Sequence, residues 1–323
     1  FSHAQIPDYK TFGCEIIKTS QPIMVELGKN AHAVKEPKWK DIPWSGTINK
    51  GAYFYWYAKP LHNYYHTLLD SLGCLFHYFH LKFDHPNLVL LLNKNHRNLD
   101  KWPPYVKELL DILNIPFQYT DEHAVYENVY FGATLNQSED GKRITPQPGQ
   151  FIILEQLVNN ALDLNLDVPR FDNIYISRRT KHNIKYSKDL IGEDNTQKRG
   201  NVDEDKVVQI LEDLGYNEIF GENYTLAEKI TMFHHMKKYV TNSGAGITNT
   251  FYRKKGIIGG IGSPGLEFPD KSKHGRHMIY SSYFKNKVSI YKDTSFAQSH
   301  NQGYNNPWKI NNIDNFAKWA KEL

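Results

Sequence analysis

Asn63, His66 and Asp70 stand at spacings i, i+3 and i+7 within HNYYHTLLD, which brings them to one face of an α-helix. A carboxylate and an imidazole one turn apart are the parts of a general base. One takes the proton from an attacking hydroxyl while the other orients it. Asp70 ranks slightly ahead of His66 as the base, and Asn63 shares their face. A solvated helix also shows a polar face, so the spacing alone leaves both readings open.

A second group of residues suits an anion. YISRR carries Ser177, Arg178 and Arg179 at the end of a strand-like run, and guanidinium groups offer bidentate donors to a diphosphate. TNSGAGITN follows the apolar-ended run KKYV and contains Ser243, Gly244, Ala245, Gly246 and Asn249. Where a strand passes into a helix, unpaired N–H groups favour a phosphate and glycines permit its close approach. An ordinary tight turn would use the same glycines. Arg199 can add a further cation or be a solvated loop arginine.

Asp203-Glu204-Asp205 has the look of a carboxylate metal site. Its place in a helix's first turn favours a capping arrangement, with Asn201 as N-cap and Glu204 three residues later. His234 and His235 are adjacent, so they point in different directions on a helix and cannot chelate together.

The elements that must position these groups alternate. GAYFYWYA (51–58), NLVLLLN (87–93), FQYT and AVYENVYF read as strands. Between them run a helix over 62–81, with a Leu68, Leu72, Leu75 and Phe79 stripe, and another within 101–114 after its prolines. SEDGKRITPQPGQ (138–150) has the composition of a loop. The second half repeats the pattern. NIYISRR, YNEIF, KKYVT, GIIGGIG and KVSIY are strands. VDEDKVVQILEDLG is a helix closed by Gly215, and TLAEKITMFHHM opens on a Thr225–Glu228 capping box. GITNTFY reads as a short helix and INNIDNFAKWAKEL as a terminal amphipathic one. Strands separated by helices imply α/β architecture with parallel sheets. The pattern predicts two doubly wound, Rossmann-like domains facing a cleft, residues 1–165 and 166–323, with the last helix free to pack back on the first domain.

Of 323 residues 40% are hydrophobic and 14% aromatic, which excludes a disordered chain. The net charge of +4 is spread along the chain and gives no nucleic-acid footprint. No run is long enough to span a membrane, LVLLL being the longest candidate. The chain opens on Phe1, so an upstream leader or anchor is compatible with it, and with that a secretory-pathway lumen; otherwise the cytoplasm is expected. Cys14 and Cys74 are too few for a disulfide framework, leaving one bridge or two buried thiols. Asn136-Gln-Ser138 and Asn223-Tyr-Thr225 match the glycosylation acceptor pattern.

YISRR, KRGNVDED, a T-x-x-E helix and GAGITNTFY, in that order, resemble the C-terminal half of the family 61 glycosyltransferases. NYYHTLLD resembles that family's N-F-x-H-x-x-x-D segment, so the likeness extends over residues 63–260. The resemblance implies a GT-B-like fold, with a nucleotide-sugar donor in the C-terminal domain and inversion at the anomeric carbon. It usually requires no cofactor or divalent metal. Its acceptor would be an oligosaccharide or glycoprotein hydroxyl. Ser243 departs from the family pattern, which commonly has His there, and GIIGGIG lacks the acidic residue many members carry. That leaves room for a glycan-binding, inactive protein on the same scaffold. A phosphate- or sulfate-transferring enzyme would want a P-loop, and no such string occurs.

Overall fold

The computed structural model describes residues 16–19, 47–56, 63–92, 102–119, 124–132, 148–177, 200–262, 264, 276–297 and 307–323. The first half supplies strands β1 (Ile16–Thr19), β2 (Thr47–Tyr55), β3 (Val89–Leu92), β4 (Phe117–Tyr119) and β5 (Ala124–Gly132). They form one sheet in the order β1-β5-β2-β3-β4. All neighbours are parallel except β1, which runs antiparallel along β5. The second half supplies β6 (Asn173–Ile176), β7 (Asn217–Ile219), β8 (Lys238–Asn242), β9 (Ile257–Ile261) and β10 (Lys287–Tyr291). This sheet is parallel throughout, in the order β10-β9-β8-β6-β7. Read from β7, the order is 2-1-3-4-5, a doubly wound arrangement whose direction reverses between β6 and β8. A short antiparallel pair, β11 (Thr294–Phe296) with β12 (Trp308–Ile310), lies beyond it.

The helices follow the apolar stripes. In the first half α1 (Tyr64–His66), a π turn (Thr67–Ser71), a 3₁₀ turn (Leu72–Cys74) and α2 (Leu75–Asp84) succeed one another. The single regular helix expected over 62–81 is therefore broken in pitch, although Leu68, Leu72 and Leu75 are buried as its stripe requires. Next come α3 (Pro104–Ile112) and α4 (Pro148–Asp163). The helix α4 has no counterpart in the periodicity reading, and its first turn takes up the end of the expected loop 138–150. A proline at its first position costs no hydrogen bond there.

In the second half are α5 (Glu204–Asp213), α6 (Leu226–His235), a 3₁₀ helix (Ala245–Tyr252), α7 (Arg276–Tyr283) and α8 (Ile313–Glu322). Gly215 ends α5 at φ +81°, and Thr225 and Glu228 form the expected capping box.

One apolar cluster runs from Leu69 and Leu75 through Leu109, Leu154 and Leu157 to Ile230, Phe233 and Phe251. Each such side chain, fully buried, contributes about 1.5–3 kcal/mol. The cluster joins residues from both sheets' helices, with α4 packed against α6. A second cluster (Val207, Leu211, Val240, Tyr291, Phe316) lies on the other side of the second sheet. Here α8 packs: Trp319 donates to Ser289 Oγ at 2.8 Å, and Trp319 and Leu323 lie close over Gly259. The terminal helix thus lies on its own half's sheet and not back across the first. No helix among the described residues is long and apolar enough to cross a membrane. Cys74 is buried; Cys14 lies outside the described residues.

Candidate functional site

The reversal between β6 and β8 fixes where the second sheet can hold a ligand. Adjacent parallel strands whose helices leave to opposite faces open a crevice beyond their carboxyl ends. Ile176 pairs with Thr241, so Ser177 and Asn242 leave the sheet side by side. Ser177 still donates its N–H to Ile219 at 3.3 Å and is buried. Arg178 and Arg199 lie outside the described residues.

The GAG segment uses its two glycines differently. Gly244 has φ +141° and ψ −159°, a region essentially closed to residues with a Cβ. Gly246 serves close approach instead. A Cβ there would lie 2.9 Å from Thr241 Oγ1 and 3.5 Å from both Ile176 and the Tyr239 hydroxyl. Its carbonyl accepts from Tyr239 Oη at 2.7 Å and from Asn249 Nδ2 at 3.0 Å. The expected short helix is a 3₁₀ helix from Ala245 to Tyr252. Thr248, Asn249 and Thr250 each donate to the carbonyl three residues back. Short polar side chains that bond locally favour this tighter pitch. Gly244, Ala245 and Gly246 stay partly exposed, and the first N–H groups of such a helix have no intrahelical acceptor. Ser243 is buried, giving its N–H and its hydroxyl to Ile261 O, each at 2.9 Å.

Across from this segment lies α1. The Tyr64 hydroxyl donates to Asn249 Oδ1 at 3.0 Å and sits 2.6 Å from the Tyr252 hydroxyl. Tyr64 has one proton and spends it on Asn249, so Tyr252 is the donor in the second bond. Burial raises both phenols well above the ordinary tyrosine range. The Lys229 ammonium lies 4.8 Å from the Tyr64 ring centroid. Burial lowers that lysine's pKa, against the opposing pull of Glu108.

Asn63 is the N-cap of α1: its Oδ1 accepts from Tyr65 N at 3.1 Å. His66 ends α1, partly exposed, with its ring edge-on to Tyr65. Asp70 lies in the π turn, and its side chain is outside the described set. Because the pitch changes at Thr67, the i, i+3, i+7 spacing does not describe one regular helix face.

The acidic triplet departs from the capping arrangement. Asp203, not Asn201, is the N-cap of α5. Asn201 Oδ1 accepts from Asp203 N at 3.0 Å, and Asp203 accepts from Lys206 Nζ at 3.1 Å and Ile310 N at 3.2 Å. The Glu204 carboxylate turns inward to Tyr175 Oη at 2.6 Å and Asn242 Nδ2 at 3.0 Å. This buried network at the end of β8 escaped the periodicity reading. An acid in a first turn is the normal helix-dipole pattern, so nothing in the spacing marks one that points inward. Among the described residues no group of three or more His, Cys, Asp or Glu is arranged to hold an ion. The rings of His234 and His235 stand at 90°, and His234 Nδ1 pairs with Tyr252 O at 3.0 Å.

The fold and this edge define a doubly wound α/β protein with a glycine-bearing segment at the switch point of its second sheet. The family model described as Glycosyltransferase 61 matches residues 64–258. The chain belongs to glycosyltransferase family 61, and the protein is a glycosyltransferase. The match runs from the first residue of α1 to the second residue of β9, and so takes in both sides of the Tyr64–Asn249 contact. Comparison with curated proteins gave no match.

Proposed function

We propose that the protein is an inverting enzyme of GT-B type that moves a sugar from a nucleoside-diphosphate donor. The donor is a UDP-sugar, such as UDP-xylose or UDP-N-acetylglucosamine, and the acceptor is a hydroxyl of a glycan or glycoprotein. The acceptor oxygen attacks the anomeric carbon from the face opposite the diphosphate. Its proton passes to Asp70 or His66, the carbon–oxygen bond to the β-phosphate breaks, and UDP departs with the electron pair.

Main-chain amides at Gly244–Gly246, together with Arg178 and Arg199, stabilise the charge that develops on the leaving group. No step requires a divalent ion. The domains fall at 1–165 and 166–323, with the donor on the second.

One observation supports this reading above the others. The Tyr64 hydroxyl bonds Asn249 at 3.0 Å, so the segment carrying the proposed base and the segment proposed to hold the diphosphate meet although about 180 positions separate them. Two solvated surface features would have no reason to converge. Incubation with UDP-, GDP- and TDP-sugars tests it. UDP-sugars should raise the melting temperature and be slowly hydrolysed, and Arg178→Ala should weaken both responses. A flat response to every nucleotide would overturn the reading.

A further inference from the structure

Asp70 sits where, among the described residues, the helical pitch passes from a π turn (Thr67–Ser71) to a 3₁₀ turn (Leu72–Cys74) before regular helix resumes at Leu75. A π turn inside a helix displaces the regular i→i−4 ladder and is commonly found where a residue must be presented at a functional site. Carbonyls loosened by such a shift need other donors if they are buried. Two buried side chains supply them here. Gln150 Nε2 donates to Leu68 O at 2.7 Å and Trp56 Nε1 donates to Ser71 O at 2.9 Å. These carbonyls lie two residues before Asp70 and one residue after it.

Both donors are set in rigid elements. Trp56 follows the last residue of β2, and its own N–H is held by Leu91 O at 3.1 Å in the adjoining strand. Gln150 lies in the first turn of α4 and is fully buried. The indole N–H is the only polar atom of the Trp56 side chain, and it is spent on this bond. Gln150 Oε1, by contrast, is buried with no partner among the described residues. A buried orphan acceptor is costly, so as a contributor to the core alone an apolar side chain would serve better at 150. What the amide contributes is its bond to the π turn.

We propose that Trp56 and Gln150 are positioning residues, a two-point clamp that fixes the Asp70 backbone in the geometry proton transfer needs. The inference rests on the reading of Asp70 as the base. The clamp holds the turn from both sides, so loss of either donor lets the turn slip towards regular pitch. A misplacement of about 1 Å at a reacting group can cost on the order of a hundredfold in rate.

The test is a double-mutant cycle with two readouts. Trp56→Phe and Gln150→Leu are each made in the wild-type and Asp70→Asn backgrounds. Hydrolysis of UDP-xylose and UDP-N-acetylglucosamine gives kcat and donor KM, and amide hydrogen exchange is followed over residues 67–72.

Each single variant should lower kcat by roughly 10- to 100-fold, leave donor KM within about twofold, and speed exchange in the turn. In the Asp70→Asn background neither should lower the residual rate further. Unchanged exchange in both variants, or an equal rate loss in both backgrounds, would overturn the clamp. If Asp70→Asn itself keeps full rate, the base assignment falls. The exchange data then still decide whether the two donors hold the turn.

Discussion

The two edges that meet at Tyr64 and Asn249 are built by opposite means. On the first sheet's side the chain presents side chains from an irregular helix, and buried donors from a strand end and a neighbouring helix brace its carbonyls. On the second sheet's side it presents backbone: a glycine at φ +141°, a second glycine with no room for a Cβ, and a 3₁₀ helix stiffened by its own threonines and asparagine. The difference suits two tasks. A proton acceptor must be one titratable group placed to a fraction of an ångström, whereas a diphosphate is held by several weak, fixed dipoles. Side-chain chemistry should therefore dominate mutational effects on the first edge, and added volume should dominate on the second.

The largest effect that separates the edges is Asp70→Asn. Loss of the proposed general base should reduce kcat by roughly 10²- to 10⁴-fold while UDP affinity stays unchanged; kinetics with parallel UDP titration checks both. Gly246→Ala should do the reverse. Its Cβ would meet Thr241 Oγ1 at 2.9 Å in a buried strand end, so the segment must shift. UDP binding should weaken about tenfold or more (a loss near 1.4 kcal/mol), with the hydrolysis rate at saturation falling less. Equal behaviour of these two variants would erase the distinction between the edges.

Tyr64→Phe probes the contact itself. It leaves Asn249 Oδ1 without its donor and Tyr252 without its acceptor, and each buried polar group so stranded costs about 1–3 kcal/mol. The melting temperature should drop by several degrees. A fall of less than one degree would mean the halves are held by the apolar cluster alone.

The smallest effect is in pH. Burial lowers the pKa of His234, as it does for the more exposed His235. The unfolded chain therefore binds protons at a higher pH than the folded one. The neutral imidazole's contribution is complete above the ordinary value near 6.5 and is lost as pH falls from there towards the lowered folded value. Melting temperature should decline across that window, and His234→Gln should flatten the decline.

Much of this was legible in the sequence wherever a local pattern carried it. The runs NLVLLLN at 87–93 and KKYVT at 237–241 became β3 and β8, and T-x-x-E at 225–228 became a complete capping box. Of the two meanings offered for GAG, the turn is present at Gly244, and the close approach seen at Gly246 is that of the chain's own Thr241, Ile176 and Tyr239. What stayed hidden depends on contacts far apart in the chain. Nothing at Tyr64 announces a partner at 249. Glu204 has the spacing of a surface cap yet faces Tyr175 and Asn242. Pitch changes are also invisible to periodicity, because Leu68, Leu72 and Leu75 bury equally well in a regular helix and in the broken one. For helix α4 the local signal was present as well, with Phe151, Leu154 and Val158 at i, i+3 and i+7 and Ile153 and Leu157 on the same side.

A crystal structure determined with UDP bound bears most directly on the division of labour. The account predicts phosphate oxygens at hydrogen-bond distance, about 3 Å, from main-chain N–H groups of Gly244–Gly246, with Asp70 facing the open side of the β-phosphate. Nucleotide density along the first sheet's edge, or a diphosphate bound with no contact to that segment, would contradict it.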